Sequence, residues 1–346
     1  MNEVRVAMIG YGGIAKSHKK GYDVLAEQNA PVKLVAICDI NPNAFTSASA
    51  INLGSSATGG LDGIATYTEL DKMLAEVEFD MVDICLPTYL HKEYAIRMLK
   101  AGKHVLSEKP MALSYADCEE MVKVAKEENK RLMIGQCLRF EPSYVYLKKC
   151  IDEGTFGKLK TLSMERLSGA PIWGFENWFG DDKKSGGAIL DLHIHDIDMA
   201  RFLLGDPEKV STVTTDGFTR WSYCNSRLYY SDVVVSAIGS WNETRSTPFS
   251  MGFRARFEKA AVIMTMEGVK VCPDEAGVKP YAPELPGVAE KRGNRMAEEI
   301  RYIANLILDP TKTNDYNPPE SAAKTVALVE KLRESADRNG EILAFN

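Results

Sequence analysis

The sequence predicts an α/β protein: a doubly wound parallel sheet over the first 135 or so residues, then a second, strand-rich domain. Three observations carry this. Short apolar runs alternate with helix-length amphipathic stretches up to Gly135, the pattern of a parallel sheet covered on both faces. The first run opens directly into Gly10-Tyr11-Gly12-Gly13-Ile14-Ala15. Beyond about Lys158 the chain reads mostly as strands. At 346 residues two domains are expected. The division falls at 1–135 and 136–346, with the final helix free to pack back on the first.

Val4–Ile9 is a β-branched apolar strand, and Gly13–Glu27 continues as a helix. Val32–Cys38 is a second strand ending at Asp39, with Pro42 in a first helical position after Asn41 as N-cap. Met81–Leu86 is a buried-type strand stopped by Pro87, and His91–Lys100 is a helix closed by Gly102. Lys103–Leu106 is strand-like, Ser114–Glu128 is an amphipathic helix with Ser114 as cap, and Arg131–Ile134 is a last strand. A helix over Pro142–Asp152 opens the second part. Val210–Val213, Asp232–Ile238, Met251–Phe257 and Ala261–Met266 read as pieces of one larger sheet, interrupted by a helix over Ile194–Leu204. Gly268–Pro286 is rich in Gly and Pro and reads as a surface loop; helices over Arg292–Leu308 and Glu320–Asn339 close the chain.

Composition excludes several classes. The net charge is −6 with no basic block, which argues against a nucleic-acid or anionic-membrane partner. No apolar run reaches the roughly 20 residues of a membrane span. The N-terminus lacks a basic segment and a small-residue cleavage site. Seven cysteines, odd in number and with no Cys-x-x-Cys, argue against a disulfide framework or a cysteine zinc site. The expectation is a cytoplasmic protein with reduced thiols.

Gly10–Ala15 has the form G-x-G-x-x-A between a strand and a helix. Gly10 permits the tight turn, Gly12 lets a diphosphate approach the backbone, and Ala15 permits close helix–strand packing. Tyr11, Gly13 and Ile14 complete the loop, and the helix N-terminus favours phosphate. Asp39 at the end of the next strand is placed to accept from ribose hydroxyls. It would repel a 2′-phosphate, and Ile40 and Asn41 offer no cation, so NAD is favoured over NADP. Lys109, in Glu108-Lys109-Pro110, follows a parallel strand at its carboxyl end, where open α/β sheets bind ligands.

Gly10–Ala15, Asp39, Pro87-Thr88-Tyr89-Leu90-His91, Ala101–Val105, Glu108–Pro110, Gly135–Pro142 and Ser185–Asp198 together resemble the Gfo/Idh/MocA oxidoreductases. The resemblance implies a Rossmann domain followed by a substrate domain on a large, open, mostly antiparallel sheet. The outer face of that sheet is implied as the contact of a homodimer or homotetramer. By the same resemblance Lys109, Asp191 and His195 are catalytic and bind substrate, and Leu86, Pro87, Thr88, His91, Glu108 and Lys109 neighbour NAD. His193 departs from the family pattern and is expected to crowd the site.

Asp191–Asp198 admits three readings. For a metal, His193 and His195 on a strand would share a face with Asp191 but not with Asp196 or Asp198. On a helix the two histidines diverge by about 200°, so no metal is expected. As a helix start, the carboxylates would cap and the histidines would be satisfied polar groups. As a catalytic pair, Asp191 and His195 meet across one turn, and the carboxylate fixes the imidazole for reversible proton transfer. Arg139 either binds substrate or pairs with Glu141. Trp178, with Trp173, either walls a sugar-like ring or is core, and Tyr281 is a further candidate from a late loop.

The expected activity is NAD-dependent hydride transfer at a secondary alcohol of a sugar, inositol or related polyol. Lys109 would polarise the oxygen, and His195, oriented by Asp191, would act as acid/base. The rivals are a glycosidase-type enzyme that oxidises transiently and a non-catalytic NAD-sensing regulator.

Overall fold

The computed structural model describes residues 2–46, 49–51, 54–56, 60–287 and 294–345. The chain forms two compact units, Met1–Phe140 with Arg292–Ala323, and Glu141–Lys291 with Lys324–Asn346. Among the described residues no helix is long and apolar enough to cross a membrane.

In the first unit, strand β1 (Val4–Ile9) leads to helix α1 (Gly13–Glu27), then β2 (Val32–Cys38), the short pair β3 (Ser49–Ile51) and β4 (Gly54–Ser56), and β5 (Ala65–Tyr67). Helix α2 (Leu70–Glu76), β6 (Met81–Ile84), α3 (Thr88–Lys100), β7 (His104–Glu108), α4 (Tyr115–Glu127) and β8 (Leu132–Gly135) follow. Six strands form one sheet in the order β5-β2-β1-β6-β7-β8, and every pairing in it is parallel. The order reverses between β1 and β6, which makes their carboxyl ends the switch point of the sheet. Residues of β1 and β6 are almost wholly buried, as a sheet covered on both faces requires. Ser114 caps α4 by accepting from the Asp117 N–H, and Asn41 caps a short 3-10 turn at Pro42–Phe45, both as the sequence indicates. Helix α3 begins three residues earlier than the sequence suggested, because Pro87 stands at its N-cap with a fixed φ of −58°.

The second unit opens with α5 (Pro142–Asp152) and the long β9 (Leu159–Gly169). Short helices α6 (Asp182–Ser185) and α7 (Gly187–Asp191) lead into α8 (Ile194–Leu204). Then come β10 (Lys209–Thr215), β11 (Tyr223–Tyr229), β12 (Val234–Glu243), β13 (Ser250–Phe257), β14 (Ala260–Thr265) and β15 (Gly268–Pro273). Helix α9 (Arg295–Leu308) belongs to the first unit, α10 (Pro319–Asp337) runs from the first into the second, and β16 (Leu343–Ala344) ends the chain. The eight-stranded sheet has the order β15-β14-β13-β9-β12-β11-β10-β16. It is antiparallel except where β12 meets β9. Burial alternates along β9, β11 and β15, the sign of a sheet with one covered face.

Gly268–Pro273 corrects the expectation of a loop over Gly268–Pro286. It is a strand paired antiparallel with β14, with Val269 and Val271 buried. Its terminal Gly and Pro mark the ends of an edge strand, where proline is tolerated. Helix α9 puts Ala297, Ile300 and Ile303 into the core of the first unit beside β1 and α1. The approach to α1 is close: a Cβ on Gly21 would stand 3.1 Å from the Ala297 nitrogen.

Candidate active site

The first unit gathers its candidate residues at the carboxyl ends of four neighbouring strands. After β1, Gly10 turns with φ +85°, and a Cβ there would stand 2.7 Å from the Cys85 carbonyl oxygen beyond β6. Only glycine fits that conformation and that gap. Gly12 differs: a Cβ there would meet nothing within 4 Å. It is the N-cap of α1, and no side chain caps that helix. The first-turn N–H groups of α1 are therefore left for an anion. That geometry fits a dinucleotide diphosphate.

Asp39 holds this loop in shape. Its Oδ2 accepts from the Tyr11 N–H at 2.6 Å and its Oδ1 from the Asn41 N–H at 2.8 Å. A carboxylate offers about four lone-pair sites, so acceptor capacity remains for ribose hydroxyls. Tyr11 is buried against Phe45. Lys16 is buried as well, 5.5 Å above the Tyr11 ring. Burial lowers its pKa, and Asp39 opposes that. Ile40 is 74% exposed and brings no cation for a 2′-phosphate.

Two histidines brace the Glu108-Lys109-Pro110 segment after β7. His91, on α3, puts Nδ1 2.7 Å from the Pro110 carbonyl oxygen and Nε2 2.7 Å from that of Leu86. Carbonyl oxygens at both nitrogens favour the doubly protonated ring, burial opposes it, and the net direction of its pKa is downward. His91 thus links the end of β6 to the end of β7. Thr88, at the start of α3, is buried beside it.

His18, on α1, lies outside every motif of the sequence. It is fully buried, with Nδ1 2.9 Å from Asp83 Oδ2 and Nε2 2.9 Å from Glu108 Oε1. Burial would discharge it, but Asp83 and its hydrogen bond hold its pKa well above the ordinary value. Tyr22 donates to Asp83 at 3.0 Å, and the Lys109 N–H donates to Glu108 Oε2 at 3.0 Å. Burial would raise the Glu108 pKa, but His18 brings it down. Lys109 itself is half-buried. The available signal was Asp83, a charged residue inside the buried strand Met81–Ile84.

Arg139, expected either to bind substrate or to pair with Glu141, is held inside the first unit. It is 1% exposed, and its guanidinium donates to the Tyr316 carbonyl at 3.2 Å and to Ser321 Oγ at 2.8 Å. Tyr316 donates back to the Arg139 carbonyl at 2.6 Å. This pins the turn after β8 to Tyr316, between α9 and α10, and to the first turn of α10.

In the second unit Ser185-Gly186-Gly187 turns between α6 and α7. Gly187 has φ +72°, and a Cβ there would stand 2.7 Å from the Arg220 carbonyl oxygen. The turn starts the helical run that carries Asp191, at the end of α7, and His195, in the first turn of α8. Both are half-buried.

Their neighbours anchor the run. Asp196 accepts from Arg166 of β9 through two bonds of 3.0 and 3.1 Å, both groups being buried. Asp198 accepts from Thr325 of α10 at 2.9 Å. His193, expected to crowd the site, is turned into the packing of the second unit. It is fully buried, lies against Gly239 of β12, and meets Ser226 Oγ at 2.8 Å. Burial, then Arg166, lowers its pKa to about 3. Trp178 stacks on Phe179 at 3.9 Å between centroids, and Trp173 meets the edge of Phe179. Trp173 is 39% exposed and Tyr281 46%.

Residues 4–136 match the oxidoreductase family described as having an NAD-binding Rossmann fold, Gfo/Idh/MocA. Residues 144–262 match the C-terminal domain of the same family. The chain is 34% identical over 214 residues to inositol 2-dehydrogenase of Rhizobium meliloti, covering 61% of this chain and 58% of that protein. It is 37% identical over 153 residues to 2,7-anhydro-N-acetylneuraminate hydratase of Escherichia coli, covering 42% and 39%. The matched stretches thus span less than two thirds of these curated relatives. Among solved structures, the WlbA dehydrogenase of Bordetella pertussis, in complex with NADH and UDP-GlcNAcA, shares the fold. The TM-score is 0.80 at 22% identity, covering 100% of this chain and 98% of that one. The two matched domains, in this order and on these two sheets, make the chain a member of the Gfo/Idh/MocA oxidoreductase family with an NAD-binding Rossmann domain.

Proposed function

We propose that the protein is an NAD-dependent dehydrogenase acting on a secondary alcohol of a sugar, inositol or related polyol. The observation that carries this is the convergence of Gly10–Ile14, Asp39, Leu86–Thr88 and Glu108–Lys109 at the carboxyl ends of adjacent strands. The inositol 2-dehydrogenase relative supports the substrate class. The N–H groups at the start of α1 hold the diphosphate, and Asp39 accepts from the ribose. NAD, when bound, supplies the hydride acceptor. Lys109 stabilises negative charge on the substrate oxygen. His195, oriented by Asp191, takes the hydroxyl proton as the carbonyl forms and returns it in the reverse direction. Trp178 offers an aromatic face to a C–H-rich ring. The Arg139 guanidinium, bonded to Tyr316 and Ser321, holds the turn after β8 in this scheme. Assembly into a homo-oligomer through the outer face of the eight-stranded sheet belongs to the same reading, with Val213 and Val234 exposed at 55% and 69%.

The test is a panel of inositols and sugars with NAD and NADP, followed by reduced-nicotinamide absorbance. Lys109→Ala and His195→Ala are each expected to lower turnover by about 10²-fold or more, while both variants still bind NAD. Unchanged turnover in both variants removes the mechanism. Gly12→Ala tests the cofactor loop: its Cβ meets open space, so stability should hold within about 0.5 kcal/mol while NAD affinity falls about tenfold or more. The hydratase relative supports a second reading, in which NAD is used without net release of NADH. Product appearing from a substrate with no gain in absorbance selects it.

A further inference from the structure

Resting on the function proposed above, we propose that His18 is a positioning residue that fixes the backbone of Lys109 through the Glu108 carboxylate and ties it to the helix that opens with the dinucleotide loop. The links are consecutive. His18 lies on α1, five residues beyond Gly13. Its Nε2 holds Glu108 Oε1, and Glu108 Oε2 accepts from the Lys109 N–H. Its Nδ1 holds Asp83, which Tyr22 also reaches from the next turn of α1 and Cys85 reaches from beyond β6. Both acceptors are carboxylates, so both ring nitrogens donate and the ring carries a charge.

The remaining groups that face His18 are consistent with this. Cys85 beside it is a thiol, its pKa raised to about 12 by burial and then by Asp83. Glu299 approaches from α9, is fully buried, and among the described residues has neither oxygen hydrogen-bonded. Burial holds its pKa well above the ordinary carboxylate value, with His18 opposing and Glu108 and Asp83 adding to the rise. Around His18 the cluster then has one cation and two anions, with the second anion, Glu108, adjoining Lys109. A neutral residue at position 18 would leave two buried carboxylates uncompensated, and Glu108 would leave its present place. The start of the Lys109 side chain would move with it.

The test uses the full chain and needs no substrate. Lys109 acylation by an N-hydroxysuccinimide ester is followed by peptide mass spectrometry, with exposed Lys33 as internal reference. His18→Gln, Glu108→Gln and the double variant are compared. Each single variant is expected to change the Lys109 rate at least threefold, leaving Lys33 unchanged. The double variant should match the larger single effect, because both act through one link. A parental Lys109 rate in cooperatively melting His18→Gln, or effects that multiply in the double variant, overturns the proposal. Should His18→Gln fail to fold, the isosteric Glu108→Gln carries the same expectation alone. Turnover of Lys109→Ala is the separate arm. If it is unchanged, the catalytic reading fails while the labelling still reports the link; if it collapses and labelling is parental, only the link fails.

Discussion

His18 in the first unit and His193 in the second are both fully buried, yet they carry opposite charge states. His18 stands between two carboxylates at 2.9 Å each, acceptors that a ring can satisfy only with both protons. His193 meets one serine hydroxyl at 2.8 Å, and its Nδ1 has no hydrogen-bond partner among the described residues. The charge nearest in effect is a cation, Arg166. Burial sets the cost of a charge in both places; the partners decide whether that cost is met. The same division runs through the two clusters. In the first unit a charged network reaches the loop of Lys109. In the second the charged neighbour of His193 is the paired Arg166, bonded to Asp196, and the histidine beside it is part of the packing.

The largest break in this comparison is Asp196→Ala. It leaves the Arg166 guanidinium buried without its carboxylate, a loss of about 3–5 kcal/mol. Replacing both members, as in Arg166→Met with Asp196→Leu, should recover most of that loss. Chemical denaturation of the three proteins checks both expectations. A double replacement as unstable as Asp196→Ala would mean that the pair does more than compensate itself.

The next effect is pH dependence with opposite signs. His193 has a folded pKa of about 3, below its unfolded value. Its neutral state therefore costs stability as pH falls below about 6.5, and the loss continues toward the folded value. Between pH 6.5 and 5 the loss is about 1.5–2 kcal/mol. His18 is shifted upward. Its contribution is complete below about pH 6.5 and is lost as pH rises through the folded pKa. His193→Gln should flatten the acid limb of urea unfolding and leave the alkaline limb alone, and His18→Gln should do the reverse. His91 and His104 are also shifted down, so only the difference between parent and variant isolates each ring. Parallel shifts on the same limb would show that the two rings share a charge state.

Much of the fold was legible where strong stop signals bound each element. β1, α1, β2, α5 and α8 have the limits read from the sequence, because Gly10, Asp39, Pro142 and Gly205 bound them. β15 was hidden because its flanking Gly and Pro look like a loop and its two buried valines are too short a pattern. The candidate site divides in the same way. Gly10–Ala15 is contiguous and could be read. His18, Asp83 and Glu108 are separated by 65 and 90 positions, and no local pattern joins them. Arg139 shows the converse: its neighbours in sequence offered a substrate or Glu141 as its partner, while its guanidinium also reaches groups about 180 positions away.

The smallest test is Ser226→Ala. Ser226 Oγ meets His193 Nε2 at 2.8 Å and Thr212 Oγ1 at 2.9 Å, all three groups being buried. A hydroxyl both donates and accepts, so Ser226 satisfies a neutral imidazole in either tautomer. Removing it strands one ring nitrogen and the Thr212 hydroxyl, at a cost of about 1–3 kcal/mol. Because a neutral ring loses a hydrogen bond and no charge partner, the deficit should be the same at pH 8 and at pH 6. Loss of a carboxylate from His18, as in Asp83→Asn, should by contrast give a deficit that shrinks as pH rises through the folded pKa of that ring. A Ser226→Ala deficit that varied with pH in this way would place a second proton on His193 in the folded protein, and the contrast between the two histidines would be lost.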